Sequence, residues 1–257
     1  MSTKTAPVAP AKTNVAPLPL STLSSKYWMA ITGLLLVGFL FVHMAGNLLV
    51  YKGQDALNAY GKFLKDQGPL LWVARFGLLA IFVVHVVLAF RLTRRNRQAR
   101  PIPYQVSRTL RASTPSKFMW LTGLVILAFV IFHIAHYTLG IIHQVPVKNP
   151  LTGNEVQKDM LSLLDSKGRH DVYGMVILAF RQPIISVLYI VAQLLLAFHL
   201  YHGASSMFQS LGVNHSRYNW LFQKFGLVVA LIIGIGNISM PLTIMLGLVG
   251  QGYQPLY

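Results

Sequence analysis

Long apolar runs alternate with short polar segments along this chain, and the length of the runs indicates the fold. A helix rises about 1.5 Å per residue, so about 20 apolar residues cross the hydrocarbon core of a membrane. Five runs reach this length, and we expect each to form a spanning helix: 27–51, 69–92, 118–142, 183–207 and 222–249. The apolar run 172–180 is too short to span, and we expect it to lie at the interface or to re-enter the membrane.

The chain before the first apolar run lacks this pattern. Residues 1–22 mix Ala, Pro, Thr and Lys without apolar periodicity, which predicts a disordered cytoplasmic leader. Residues 23–257 then form one membrane domain. The expected fold class is all-α: a polytopic membrane protein with five transmembrane helices.

Composition supports a membrane protein and narrows its chemistry. The 257 residues are 54% hydrophobic and only 11% charged. The net charge of +16 does not indicate a nucleic-acid partner, because the basic residues lie in short segments beside the apolar runs. The chain has no cysteine, which excludes disulfides, thiolate nucleophiles and thiolate ligands of an iron–sulfur cluster. Any redox centre of this chain must use other ligands.

The distribution of charge predicts the orientation in the membrane. Segment 91–117 contains no acidic residue and many basic ones: Arg91, Arg94, Arg95, Arg97, Arg100, Arg108, Arg111 and Lys117. Basic loops stay in the cytoplasm, so we place this segment inside. All six acidic residues fall between spans one and two or between spans three and four, which we place outside. The N-terminus is then cytoplasmic and the C-terminus is outside.

Each of the first four expected spans contains a histidine, and an ionisable side chain inside a membrane usually marks a functional site. His43 and His133 lie about 24 Å beyond the cytoplasmic starts of two spans that run in the same direction. His85 and His199 lie at a similar distance along spans of the opposite direction, and so approach the inner side. Two facing imidazoles at each of two depths in a four-helix bundle would hold two b-type haems.

A repeat supports the pairing of the first and third spans. The same three residue types recur there at the same spacing: Thr32, Gly33 and His43, then Thr122, Gly123 and His133. The repeat favours His133 over His136, which lies one turn further on roughly the same face. In the fourth span, helical spacing alone does not separate His199 from His202.

Other polar residues near the spans have weaker claims to a function. Arg75 and Arg181, at the outer ends of the second and fourth spans, are candidate contacts of haem propionates, although snorkelling to the interface explains them equally well. His143, His170 and His215 lie at helix ends or in loops, where we expect solvated side chains. Each histidine taken singly could instead form an interhelical hydrogen bond. Taken together, the histidines could also relay protons in a haem-free transporter.

These features resemble the single-chain dihaem cytochrome b anchors of succinate dehydrogenase and quinol:fumarate reductase, respiratory complex II. The resemblance extends from about Lys26 to the fifth span, and includes the Thr-Gly motifs and the histidines of the first four spans. In the fourth span of the family, a histidine is followed four residues later by glycine and, after a short stretch, by a second glycine. His199, Gly203 and Gly212 match this pattern, which makes His202 the extra residue.

The resemblance implies two b haems, with His43 and His133 as axial ligands of the outer iron and His85 and His199 as axial ligands of the inner iron. It implies a non-catalytic electron-transfer and quinone-binding subunit, in the inner membrane of a prokaryote, of an enzyme shared by the respiratory chain and the tricarboxylic acid cycle. Its partners would be a flavoprotein subunit, an iron–sulfur subunit, membrane lipid and a quinone, for which menaquinone is the expectation.

The sequence leaves several points open. Spans one and two contain no acidic residue that would relay quinone protons, as in some family members, so the quinone site is unassigned. A homotrimer of the complex is an assembly that the sequence neither requires nor excludes. A cytochrome b anchor of another quinone-linked dehydrogenase, such as a hydrogenase or formate dehydrogenase, is the nearest alternative function.

Overall fold

The structure is a computed structural model that describes residues 21–99, 117–141, 144–149, 152–213 and 215–255. Most of the expected leader, His143 and part of the basic segment 91–117 lie outside these residues. Seven α-helices make up most of the described chain: α1 (Thr22–Asn47), α2 (Gln54–Asp66), α3 (Pro69–Gln98), α4 (Met119–His133), α5 (Val172–Phe180), α6 (Pro183–Ser210) and α7 (Asn219–Met245). Five spans are long and apolar enough to cross a membrane: α1, α3, α6, α7, and α4 together with the helical turn that follows it to Thr138. The protein is an all-α polytopic membrane protein, as predicted.

The ends of the spanning helices follow from local chemistry. Helix α1 begins at Thr22 rather than at residue 27, because the hydroxyl of Ser21 caps it by accepting a hydrogen bond of 3.0 Å from Ser24 N. Helices α3 and α6 begin with Pro69 and Pro183. Proline suits this position, because an N–H in the first helical turn would have no acceptor within the helix. The spans therefore start within a few residues of the expected positions.

The third span ends differently from the expectation. Helix α4 is followed by a π-helical turn, Ile134–Thr138, which completes the span four residues before the expected end at 142. Such turns are rare and occur often at functional sites. This one contains His136, whose side chain is fully buried.

Helices α1, α3, α4 and α6 form a four-helix bundle. Helix α1 packs against α3 and α6, and α4 packs against α6 and more loosely against α3. The cyclic order is therefore α3, α1, α6, α4, with antiparallel neighbours and with α1/α4 and α3/α6 as the two diagonals. Helix α7 packs along α6 and touches α1, outside this square.

The two ends of the bundle differ in structure. At the end where α1 finishes, the segments that do not span form a cap: α2, a hairpin of β1 (Gln144–Lys148) and β2 (Glu155–Asp159), α5, and residues 247–255 after α7. We call this end the cap side. The other end, where α1, α4 and α7 begin, is the basic side, with Lys26, Arg94, Arg95, Arg97 and Lys117.

The cap has its own apolar core. Val145 and Val147 of the hairpin are fully buried against Met160, Leu163 and α5. The expected interfacial segment 172–180 is thus a helix, and it is buried between the hairpin and the ends of the spans. The sequence did not predict α2 or the hairpin.

A buried carboxylate joins the parts of the cap. Asp171 accepts hydrogen bonds from Gln54 Nε2 at 2.8 Å, Asn58 Nδ2 at 2.9 Å, Gly174 N at 2.9 Å and Tyr253 Oη at 2.6 Å. Burial and the hydrogen bond to Asp171 raise the pKa of Tyr253 well above its usual range, so this hydroxyl stays protonated. Asp171 therefore connects α2, α5 and the C-terminal tail.

A second carboxylate, Asp165, lies beside it. Asp165 accepts hydrogen bonds from Asn58 Nδ2 at 3.0 Å and from Arg169 Nε at 2.8 Å. Burial alone would raise the pKa of Asp165, but the hydrogen bonds from Arg169, Asn58 and the backbone of Lys167 together hold that pKa well below its usual range. Asp165 is therefore a buried anion neutralised by Arg169.

The loop histidines differ in their surroundings. His215 is exposed, as expected. His170 is half-buried and pairs with Leu164 through the backbone, and burial, with the charge of Lys65, lowers its pKa. The side chain of His170 is therefore only partly solvated, because other parts of the cap cover it.

Candidate functional site

The structure brings His43 and His133 together near the cap side. They lie on α1 and α4, which form one diagonal of the bundle. Their ring centroids are 5.8 Å apart and their ring planes are nearly perpendicular, at 88°. His43 also stacks on Phe39, with ring centroids 5.2 Å apart. The structure thus brings together two side chains that the sequence places at the same depth.

The separation of the two rings fits two ligands of one metal atom. A metal–imidazole bond is about 2 Å long and the bonded nitrogen lies about 1 Å from the ring centre, so two opposite ligands have centroids ~6 Å apart. The observed 5.8 Å is close to this value. By this distance the two residues present fit a bis-histidine haem.

His85 and His199 form a second pair near the basic side. They lie on α3 and α6, the other diagonal, close enough for their charged forms to interact. Each imidazole lies within hydrogen-bonding distance of a threonine hydroxyl on an adjacent helix. Thr32 Oγ1 lies 3.0 Å from His85 Nδ1, and Thr122 Oγ1 lies 3.2 Å from His199 Nδ1.

The glycines after these threonines lie beside the imidazoles of the neighbouring helices. A Cβ atom at Gly33 would lie 3.4 Å from His85 Cε1, and one at Gly123 would lie 3.5 Å from His199 Cε1. Each imidazole therefore lies against the backbone of the glycine, at a distance where a larger residue would contact the ring with its Cβ. The Thr-Gly repeat forms the same local site twice.

The structure separates the histidines that spacing left ambiguous. His136 packs against Phe132 and Tyr137, and its Nδ1 lies 3.0 Å from Tyr189 Oη. It is His133, not His136, whose ring lies next to His43. In α6, it is His199 that contacts a threonine of the repeat, whereas His202 lies one turn nearer the end of the helix.

The two arginines have partners of their own. The guanidinium of Arg75 lies 5.0 Å over the ring of Trp72. Arg181 Nη2 donates a hydrogen bond of 2.6 Å to Gly250 O and lies 6.0 Å over the ring of Tyr253, so it holds the C-terminal tail. Within the described part of the chain, the contacts recorded for these arginines include none of the four paired histidines.

Sequence reasoning missed three contributors to the site. Thr32 and Thr122 were noted only as markers of the repeat, and Tyr189 was not noted at all. Tyr189 Oη lies 3.3 Å from His133 Nδ1, and its ring packs on Phe129. The sequence did contain a signal for the two threonines. The distance along the helix from each threonine to the following histidine of the repeat equals the difference in depth between the two histidine pairs.

Metal clusters of another kind are not found in the ranges that the structure describes. No group of three or more His, Cys, Asp or Glu side chains there is placed to hold a metal ion. A haem iron needs only two protein ligands, because the porphyrin supplies the other four. A pair of histidines is therefore sufficient to hold a haem iron.

Comparisons of the chain with protein-family models, with curated proteins and with solved structures find no match. Support for a function therefore comes from the geometry of the two histidine pairs and from the resemblance of the sequence motifs.

Proposed function

We propose that this chain is the membrane-anchor cytochrome b subunit of a succinate:quinone oxidoreductase. It would pass electrons between an iron–sulfur subunit and a membrane quinone, with menaquinone the expected type. The observation that carries the proposal is the presence of two histidine pairs, at two depths, on the two diagonals of one four-helix bundle.

The depths of the pairs suit electron transfer across a membrane. Thr32 contacts His85, and His43 lies 11 residues further along α1. At about 1.5 Å per residue, the two pairs are ~16 Å apart along the bundle axis. That is roughly half of the ~30 Å hydrocarbon core, so two carriers at these depths would divide the crossing into short steps.

Each pair has a defined part in this proposal. His43 and His133 would hold the cap-side haem, and His85 and His199 the basic-side haem. A bound haem supplies reversible one-electron transfer, and two imidazole ligands leave it no open position for oxygen.

The charge distribution supports an orientation for the subunit. All six acidic residues of the chain lie in the segments that form the cap side, and the 91–117 segment on the basic side has none. We therefore propose that the basic side faces the cytoplasm of a prokaryote, and that the cap and the C-terminus face outward. The flavoprotein and iron–sulfur subunits would dock on the basic side.

One observation favours a second candidate function, a haem-free proton pathway. The hydroxyl of Tyr189 lies within hydrogen-bonding distance of both His133 and His136. A tyrosine between two histidines is able to relay a proton, and a transporter of this kind would contain no visible chromophore.

The first experiment is a dithionite-reduced minus oxidised spectrum of the chain purified in detergent with its partners, with pyridine-haemochrome quantification. We expect about two low-spin b haems per chain, and partial reduction by succinate. Fully assembled protein without haem would favour the proton pathway. Two haems with subunits of a different dehydrogenase would favour the hydrogenase or formate dehydrogenase type of anchor.

A further inference from the structure

We infer that Thr32 and Thr122 are positioning residues that hold His85 and His199 with Nδ1 protonated, and so leave Nε2 of both rings free to bind one iron. The inference rests on the proposed haem binding. It concerns the contacts between adjacent helices that fix the basic-side pair.

The direction of the hydrogen bond follows from the other partners of Thr32. Its Oγ1 lies 2.8 Å from Trp28 O and 3.1 Å from Met29 O. Carbonyl oxygens only accept, so the single hydroxyl proton is donated to them. Towards His85, 3.0 Å away, the hydroxyl oxygen can then only accept, and His85 Nδ1 must carry the proton.

Thr122 repeats this arrangement in the second half of the bundle. Its Oγ1 lies 3.1 Å from Phe118 O, 3.2 Å from Met119 O and 3.2 Å from His199 Nδ1. The same reasoning makes His199 Nδ1 a donor. Both histidines of the pair are therefore held in the tautomer whose Nε2 has a free lone pair.

The environment makes these hydroxyls hard to replace. Thr32 is only 5% exposed and Thr122 only 7%, and both lie within spanning helices, where water is scarce. The two imidazoles also lie beside Gly33 and Gly123 of the threonine-bearing helices. Without the hydroxyl, each imidazole would keep its place but lose the partner that orients it.

The cap-side pair has no such threonines in the described chain. The partner recorded for His133 Nδ1 is Tyr189, which is also bonded to His136. The Thr-Gly repeat thus serves the basic-side pair, although each copy precedes a histidine of the cap-side pair. Removing its hydroxyls should affect one haem and spare the other.

The expected effect is electronic. A hydrogen bond from Nδ1–H to a fixed acceptor makes the imidazole a more basic ligand, which stabilises oxidised iron. Loss of either hydroxyl should therefore raise the midpoint potential of the basic-side haem. Thr32 and Thr122 lie in different halves of the sequence, yet both should act on this same haem.

The test uses the complete complex with Thr32→Val, Thr122→Val and the double variant, each close in shape to the native residue. Thr32→Ser and Thr122→Ser retain the hydroxyl. Thr243→Val is the matched control, because Thr243 Oγ1 makes the same bonds to the preceding turn, to Ser239 O at 2.8 Å and Met240 O at 3.3 Å, but contacts Tyr51 instead of a histidine. Redox titration of the α-band and low-temperature electron paramagnetic resonance distinguish the two haems.

We expect an upward shift of the same haem in both valine variants, a larger shift in the double variant, and native values in the serine variants and in Thr243→Val. Unchanged potentials in both valine variants, or equal shifts of both haems, would overturn the inference. If a valine variant loses a haem, retention in the matching serine variant supports a need for the hydroxyl, and loss in both overturns it. A native complex without haem would overturn the proposed function before any variant is made.

Discussion

The hydroxyl oxygen of Tyr189 lies 3.3 Å from Nδ1 of His133. The same oxygen lies 3.0 Å from Nδ1 of the buried His136, so this one hydroxyl contacts both rings. If His133 binds iron through Nε2, its Nδ1 donates to Tyr189, and the hydroxyl proton of Tyr189 is given to His136. The cap-side and basic-side pairs thus depend on different hydroxyl groups.

Tyr189→Phe should raise the midpoint potential of the cap-side haem and leave the basic-side haem unchanged, because only His133 loses an acceptor. Redox titration with electron paramagnetic resonance measures both potentials. Tyr201→Phe, on the same helix, is the control and should change neither. A shift confined to the basic-side haem would contradict the assignment of Tyr189.

Alanine substitution of the paired histidines should remove haems selectively. His85→Ala and His199→Ala should each lose the basic-side haem, and His43→Ala and His133→Ala the cap-side haem, since one imidazole cannot replace two. Haem quantification and the reduced spectrum detect the loss of about half of the haem. His202→Ala should keep both haems. If it lost one while His199→Ala kept both, the ligand assigned to α6 would be wrong.

Asp171→Ala should destabilise the cap by about 3 kcal/mol, because four donors, two of them buried and two half-buried, lose their acceptor. Tyr253→Phe, which removes one of these bonds, should cost about 1–2 kcal/mol. Thermal unfolding in detergent and hydrogen exchange of α2 and α5 measure the effect. Asp66→Asn, which breaks only an exposed pair with Lys62, should cause no measurable change. Equal effects of Asp66→Asn and Asp171→Ala would argue against a cap held by Asp171.

The stability of the cap should fall in acid. The pKa of Asp165 is lower in the folded protein than its unfolded value of about 4, so its carboxylate stabilises the fold above pH ~4. This contribution is lost as the pH falls below 4 towards the folded pKa. Hydrogen exchange of the cap at pH 3 and pH 7 should show the difference in the native protein and a smaller one in Asp165→Asn. An equal difference in both proteins would assign the acid sensitivity to other groups.

The orientation is testable with single cysteines, because the chain has none of its own. Ser166 is exposed on the cap side and Asn96 is exposed on the basic side. In intact cells, a membrane-impermeant maleimide should label Ser166→Cys at once and Asn96→Cys only after permeabilisation. The opposite pattern would place the basic side outside, away from cytoplasmic partner subunits.

The sequence predicted the spans well because length and apolar character are local properties. It did not predict the cap, since that depends on contacts such as Gln54 with Asp171, which are 117 residues apart. The capping of α1 by Ser21 and the π-helical turn after α4 also moved two helix ends. Local patterns therefore defined the membrane part and left the cap unknown.

For the site, depth along the helices paired the four histidines as the structure does, but it did not show that the pairs are diagonal. The repeat was interpreted as a marker of the depth of His43 and His133. Thr32 lies 11 residues, or ~16 Å, before His43, which is the depth of the other pair. The depth calculation therefore places Thr32 level with His85. Predicting their contact also requires knowing which helices are neighbours in the bundle.

The diagonal arrangement also has a consequence for biosynthesis. The ribosome delivers the spans in order, so His43 and His133, on the first and third spans, are both present before α6 is made. His85 has no partner until the fourth span, which contains His199, has been synthesised. The cap-side pair can thus form during translation, whereas the basic-side pair closes only when α6 packs between α1 and α4.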